Sequence, residues 1–290
     1  MMSRRDFKQT TTSERLLRVQ RRFPATIAAL TTVLFLTLLN LPGALAQTNQ
    51  KLGAAHQVST PDGSPAFDPH NVSGVWEHEG IGGTIASGPV APMTPWGQAK
   101  FDAAKPGFGP RRVPPTEDND PVLICDPQGF PRAMTLENPE PMEFIQIRGR
   151  ILQFMEWNHN WRTIWIDGRD LPKDLEPTWY GYSVGKWEGD MLVVKTAGLD
   201  DRTWLDPLGH PHSDALRVEE HYRRVNRDTM EFTMKVDDPK AYTMPWMLVK
   251  MKVLKLNPKY EIQEAICAPS DEKNFNRDIT IPADTFGKAK

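Results

Sequence analysis

The sequence predicts an all-β protein: an antiparallel β-barrel of about 8–10 strands, preceded by a Pro-rich N-terminal strap. Three observations carry this. From Met142 onward, short apolar runs alternate with turn signals such as Arg148-Gly149, Asp167-Gly168, Glu188-Gly189-Asp190 and Asn257-Pro258-Lys259. Within the runs the period is two: Met230, Phe232, Met234 and Val236 share one face, while Glu231, Thr233, Lys235 and Asp237 share the other. No strongly amphipathic helical stretch separates them. A meander of this kind either closes on itself or leaves adhesive edges, so closure is expected, with a β-sandwich as the alternative.

The chain opens on a targeting pattern. Arg4, Arg5, Arg15, Arg18, Arg21 and Arg22 form a long basic region, Ala25–Leu41 is apolar, and Ala44-Leu45-Ala46 is a small-x-small cleavage site. Residues 1–46 are therefore read as a signal peptide and the protein as periplasmic or secreted. Secretion in the unfolded state is preferred over the twin-arginine route, which the Arg4-Arg5 pair leaves open. The apolar stretch is short for a spanning helix and contains Thr31, Thr32, Thr37 and Asn40, so membrane contact is expected only through a signal that stays uncleaved.

Removing the seven basic and two acidic residues of that segment leaves 28 against 35, a net charge of −7, which argues against a nucleic-acid partner. Residues 47–70, with Pro61-Asp62-Gly63, read as a linker, and residues 71–290 as a single domain. In an exported chain the two cysteines, Cys125 and Cys267, permit a disulfide that would tie the Pro-rich front to the last strand. Two buried thiols are the alternative.

The elements follow in order. Gly74-Val75-Trp76 opens the domain as a first strand, the indole closing the barrel bottom and the glycine allowing close backbone approach. Met93–Phe101 is a short helix with Thr94 as cap and Pro95 in its first position. The Pro/Gly-rich run from Pro106 to Pro121 is a strap over one barrel mouth. Strands are expected at 142–147, 150–157, 161–166, 179–187, 191–196, 216–225, 230–236, 246–256 and 260–266.

Gly-x-Trp on a first strand resembles the lipocalin and calycin families, which implies a lipocalin-like barrel. The longer span from Asn71 to Cys267 resembles a family of exported bacterial proteins through the phrases MTPWGQAKFDA, NDPVLICDPQGFPR, EFIQIRGRILQFMEWNHNWRTIWIDGR, WYGYSVGKWEGDMLVV and DDRTWLDPLGHPHSDALRVEEHYRR. That resemblance implies no activity and assigns no catalytic residues.

Two polar clusters stand out. In the hairpin of Phe154–Asp170, Glu156, His159 and Arg162 lie among Trp157, Trp161 and Trp165. If the strand alternates strictly, Glu156 shares a face with Leu152 and Phe154. Burial there would raise its pKa for acid–base work, with His159 and Arg162 within reach. A buried Glu–Arg structural pair beside a solvent-facing histidine is the plainer reading. The second cluster is the loop Asp200–Asp214, with Asp201, Asp206, His210, His212 and Asp214. Its histidines can act as a general base oriented by an aspartate. They can also hold a metal, but no tight ligand spacing is present and none is expected. Exposing Trp204 and Leu205 would be costly, so this loop is expected to fold back over an open mouth and meet the other cluster.

The catalytic candidates are thus Glu156, His159, Arg162, Asp201, His210 and His212. Trp161, Trp165, Tyr180, Tyr182 and Trp204 are the expected ligand-lining residues. No cofactor motif is present, and no cofactor is expected. Together these suggest an apolar or aromatic small molecule held in a barrel pocket and a cofactor-independent lyase or isomerase step by proton transfer. A carrier without chemistry and an envelope-associated structural protein are the alternatives.

Overall fold

Nine strands close into one barrel in the computed structural model, which describes residues 67–78, 88–136 and 140–282. They are β1 (Gly74–His78), β2 (Met142–Ile147), β3 (Arg150–Met155), β4 (Asn160–Trp165), β5 (Tyr182–Glu188), β6 (Met191–Ala197), β7 (Arg217–Asn226), β8 (Thr229–Asp237) and β9 (Trp246–Leu256). Neighbours in sequence are neighbours in the sheet, and β9 pairs back with β1 through Trp76↔Leu256. The expected signal peptide lies outside the described residues, as does most of the expected linker.

Two expectations need correction. The pair β4–β5 is parallel, with only Ile164↔Ser183 and Trp165↔Val184 in register. The connection 166–181 carries the chain from one end of the barrel back to the other, so the next strand starts at the same end as the last. The expected strand at 260–266 is not formed. After β9 the chain turns at Asn257, whose N–H donates to Val75 O at 2.9 Å, and crosses the outer surface instead.

The barrel's two ends differ. At one end Arg148-Gly149, Gly189-Asp190 and Arg227-Asp228 make tight turns. The registers bring the end of β3, the starts of β4 and β5, the end of β6, the start of β7, the end of β8 and the start of β9 to the opposite mouth. The β6–β7 and β8–β9 connections lie there, and the 166–181 connection returns to it.

A strap covers this mouth. Residues 88–136 run over it through helix α1 (Pro95–Ala103), whose Thr94 cap accepts from Gly97 N at 3.1 Å. The strap is pinned by Thr94 N to Ala241 O and Thr243 N to Pro92 O, and it drives Phe130 and Met134 inward. The Cys125–Cys267 disulfide forms, tying the strap to the segment after β9.

Inward positions repeat at every second residue, as the pleat requires. Phe144, Gln153 and Arg162 lie side by side across β2–β4, and Thr196, Glu220 and Met234 continue the lining across β6–β8. The interior is filled by side chains, among them Phe130, Met134, Met142, Phe144, Ile151, Ile164, Leu192, Tyr222 and Phe232, all essentially inaccessible to solvent. Trp76 is buried and donates its indole N–H to Val72 O at 2.9 Å. Gly74 has a φ of 132°, and a Cβ there would sit 2.5 Å from Leu256 Cδ1, so the first residue of Gly-x-Trp is required by the barrel's closing seam.

Candidate functional site

Arg162 is buried on an inward position of β4. Its Nε donates to Gln153 Oε1 at 2.7 Å and its Nη2 to Glu220 Oε1 at 2.7 Å, and its guanidinium lies 3.9 Å from the Phe130 ring centroid. Tyr222 donates to the same Glu220 oxygen at 2.5 Å. Burial works against the Arg162 charge, but the Glu220 carboxylate outweighs it and holds the pKa above its usual value. Both members of the pair are sealed from solvent. The expected trio of Glu156, His159 and Arg162 is therefore not one cluster. Arg162 points into the barrel, and Glu156 lies past the end of β3 on the outside.

His159 shows why. Asn158 and His159 have φ values of 58° and 47°, the pair of left-handed residues that a tight hairpin turn uses. This turn throws the His159 ring outward, where Nε2 meets Gln263 O at 2.9 Å.

The loop between β6 and β7 packs into the same mouth as the strap. Leu205 is fully buried, Thr135 Oγ1 donates to Leu205 O at 2.6 Å, and Trp204 is half-buried, 5.5 Å from the Arg132 guanidinium. The loop thus folds back over an end of the barrel. Its two histidines are absorbed in holding it. His210 Nδ1 pairs with Asp206 Oδ2 at 2.6 Å while the ring stacks on Phe101 at 5.0 Å. His212 Nε2 contacts Thr203 Oγ1 at 2.8 Å and Nδ1 faces Ser213 O at 3.2 Å, and burial pushes its pKa down. Asp201 is exposed on the outer rim.

The expected ligand-lining aromatics do not line a barrel cavity. Trp161 is 55% exposed on the outer face, stacked on Phe154. Trp165 also points outward, with the Arg169 guanidinium 3.8 Å from its ring, and Tyr182 accepts from Arg169 Nη1 at 2.9 Å. These alternate residues of β4 and β5 take the outer face because Arg162, Ile164 and Ser183 take the inner one. Tyr180 packs against the core at the mouth.

The mouth holds a groove of about 310 Å³ where the strap, the barrel rim and the β6–β7 loop meet. Phe108 and Asp118 come from the strap, Glu140 and Trp157 from the rim, and Pro207 from the loop. The 156–160 turn and the β6–β7 loop thus meet here, though through Trp157 and Pro207 instead of the residues expected. Asp120 forms a two-pronged pair with Arg132 in the groove floor.

Glu140 lines the groove beside Glu156. Burial, and after it the adjacent Glu156 carboxyl, push its pKa above the usual carboxyl range. Glu156 is itself fixed. Tyr260 donates to its two oxygens at 2.9 and 2.8 Å, and Gln263 N–H donates at 2.7 Å. Burial and that hydrogen bond raise the Tyr260 hydroxyl to about 12. Burial also raises Asp118, with the neighbouring Asp120 charge acting in the same direction. Such a groove offers an aromatic wall and carboxyls that hold protons above their normal range. Among the described residues no group of three or more His, Cys, Asp or Glu side chains is arranged to hold a metal ion.

Glu140 was not among the sequence candidates. Its signal was a carboxylate between Pro139 and Pro141, a rigid placement immediately before the first long strand. No family model, curated protein or solved structure matches this chain. The closed barrel is compatible with a calycin-like fold.

Proposed function

We propose that this exported protein binds an apolar or aromatic small molecule in the strap-mouth groove and transfers a proton to it from Glu140. The observation that supports this is the Glu140–Glu156 carboxyl pair beside Trp157 in the groove, since a carboxyl whose pKa is raised by burial and a neighbouring carboxyl is suited to general-acid work. Glu156, tied by Tyr260 and Gln263, acts as the positioning neighbour. The ligand's apolar body packs on Phe108 and Trp157. The reaction class is a cofactor-independent lyase or isomerase step, and the setting is the periplasm or the exterior.

A non-catalytic reading, as carrier or envelope-associated structural protein, is favoured by the filled barrel interior, which needs no turnover to explain it. One experiment separates the two. The chain is titrated with a panel of aromatics, steroids and fatty acids by tryptophan fluorescence, with mass spectrometry following conversion. Turnover that falls by about 10²–10⁴-fold in Glu140→Gln supports the acid role. Binding with no product at any pH supports the carrier, and turnover unchanged in Glu140→Gln sinks the proposal.

A further inference from the structure

The outer rim of the same mouth carries a second crevice, of about 490 Å³, that shares no lining residue with the Glu140 groove. Trp96, Asp200, Asp201, Arg202, Asp214 and Lys240 stand around it. Four of its charges are already locked in pairs. Arg202 binds Asp200 through Nε at 2.9 Å and Nη2 at 2.6 Å, and Lys240 binds Asp214. These contacts hold both carboxyls below the usual carboxylate range. Arg202 is braced further by the Trp179 ring, 4.1 Å from its guanidinium.

The wall is therefore a mixture of donors and acceptors whose paired charges largely cancel. A charged ligand would meet like charge on one member of each pair. A strictly apolar one would leave the paired groups desolvated without compensation. A ligand with many hydroxyls, each able to donate and to accept, satisfies both halves. Trp96 adds a platform. It sits in the first turn of α1, beside Pro95 and the Thr94 cap, with 37% of its surface exposed. Lys100 Nζ lies over the ring, 5.6 Å from its centroid, and the negative π face left to the crevice complements the outward C–H edges of a sugar ring. Asp201, which forms no ion pair among the described residues, contributes a further acceptor.

We infer that this crevice is a binding site for a neutral glycan, with Trp96 beneath a sugar ring and Asp201, Arg202 and Lys240 as hydroxyl partners. Trp96 and Asp201 are both exposed, so replacing them leaves the barrel intact.

The test titrates the full-length chain calorimetrically with cellohexaose, chitohexaose and maltohexaose, and with a heparin hexasaccharide as a charged control. At least one neutral hexasaccharide is expected to bind. Its affinity should fall about tenfold or more in Trp96→Ala and several-fold in Asp201→Asn, with circular dichroism confirming the fold of each variant. The inference is overturned if no neutral hexasaccharide binds at millimolar concentration, if heparin alone binds, or if binding survives both substitutions. Loss of glycan binding in Glu140→Gln would place the sugar in the other groove and overturn it equally.

Discussion

Two regions of this protein set carboxylates beside aromatic rings, and they are built in opposite ways. Inside the barrel, Glu220 has its cation, Arg162, at 2.7 Å, a tyrosine donor at 2.5 Å and no solvent. At the strap mouth, Glu140 has another carboxyl as its neighbour and open space on its other side. The first arrangement satisfies charge and closes it off. The second leaves charge frustrated and reachable. Buried charge is thus a poor marker of a site by itself; a carboxyl shifted by burial and a like neighbour, and facing a groove, is the better candidate.

That contrast can be broken most directly at Arg162. Arg162→Met strands Glu220 in the core and should cost about 3–5 kcal/mol in urea unfolding, because an uncompensated buried charge remains. Glu140→Gln should instead leave stability within about 0.5 kcal/mol. A mild Arg162→Met would mean that water or another cation reaches the interior. Next in size, the double variant Cys125→Ser/Cys267→Ser releases a crosslink spanning 142 residues and should lose about 2–5 kcal/mol in the same assay.

Smaller effects sharpen the picture through pH. Glu140 titrates above the ordinary carboxyl value of 4.5, so the fold favours its protonated form. Its contribution to stability is full at acid pH and declines as pH rises from about 4.5 through the raised value. Glu156→Gln removes the neighbouring charge and should move the Glu140 midpoint down, read by carboxyl carbon NMR. An unmoved midpoint would leave burial as the sole cause. His212 runs the other way. Its folded pKa lies below the ordinary 6.5, so the unfolded chain takes up the proton first and stability falls as pH drops beneath 6.5. His212→Gln should flatten that slope. Smallest of all, Trp161→Ala on the exposed outer face should change stability by about 0.5 kcal/mol or less.

The barrel was readable because its signals are local. The strands at 142–147 and 246–256 form with the bounds that alternation and turn residues indicate, and Thr94-Pro95 marks the start of α1 correctly. The strand expected at 260–266 failed because its apolar residues sit on a segment whose backbone serves Glu156 and Asn158 instead of a ladder. The site was less legible. Alternation does put Glu156 on the face of Leu152 and Phe154, but only the closed barrel decides that this face is the outer one. Arg162 finds its partner 58 residues away, a distance no spacing rule covers. Glu140 becomes notable only when Glu156 is placed beside it, which depends on Tyr260 and Gln263 far along the chain.

That dependence gives the molecule a direction in time. The strap, with Asp118, leaves the ribosome early, the barrel wall follows, and the run from Tyr260 to Cys267 emerges among the last segments. A chain ending at Leu256 already owns every strand and the seam to β1, yet lacks the donors that fix Glu156 and the thiol that reaches back to Cys125. The barrel is therefore complete before the groove. Glu156 is held beside Glu140 only once the final segment has laid itself across the wall and Cys267 has closed onto Cys125, so the groove is the last part of the fold to be assembled.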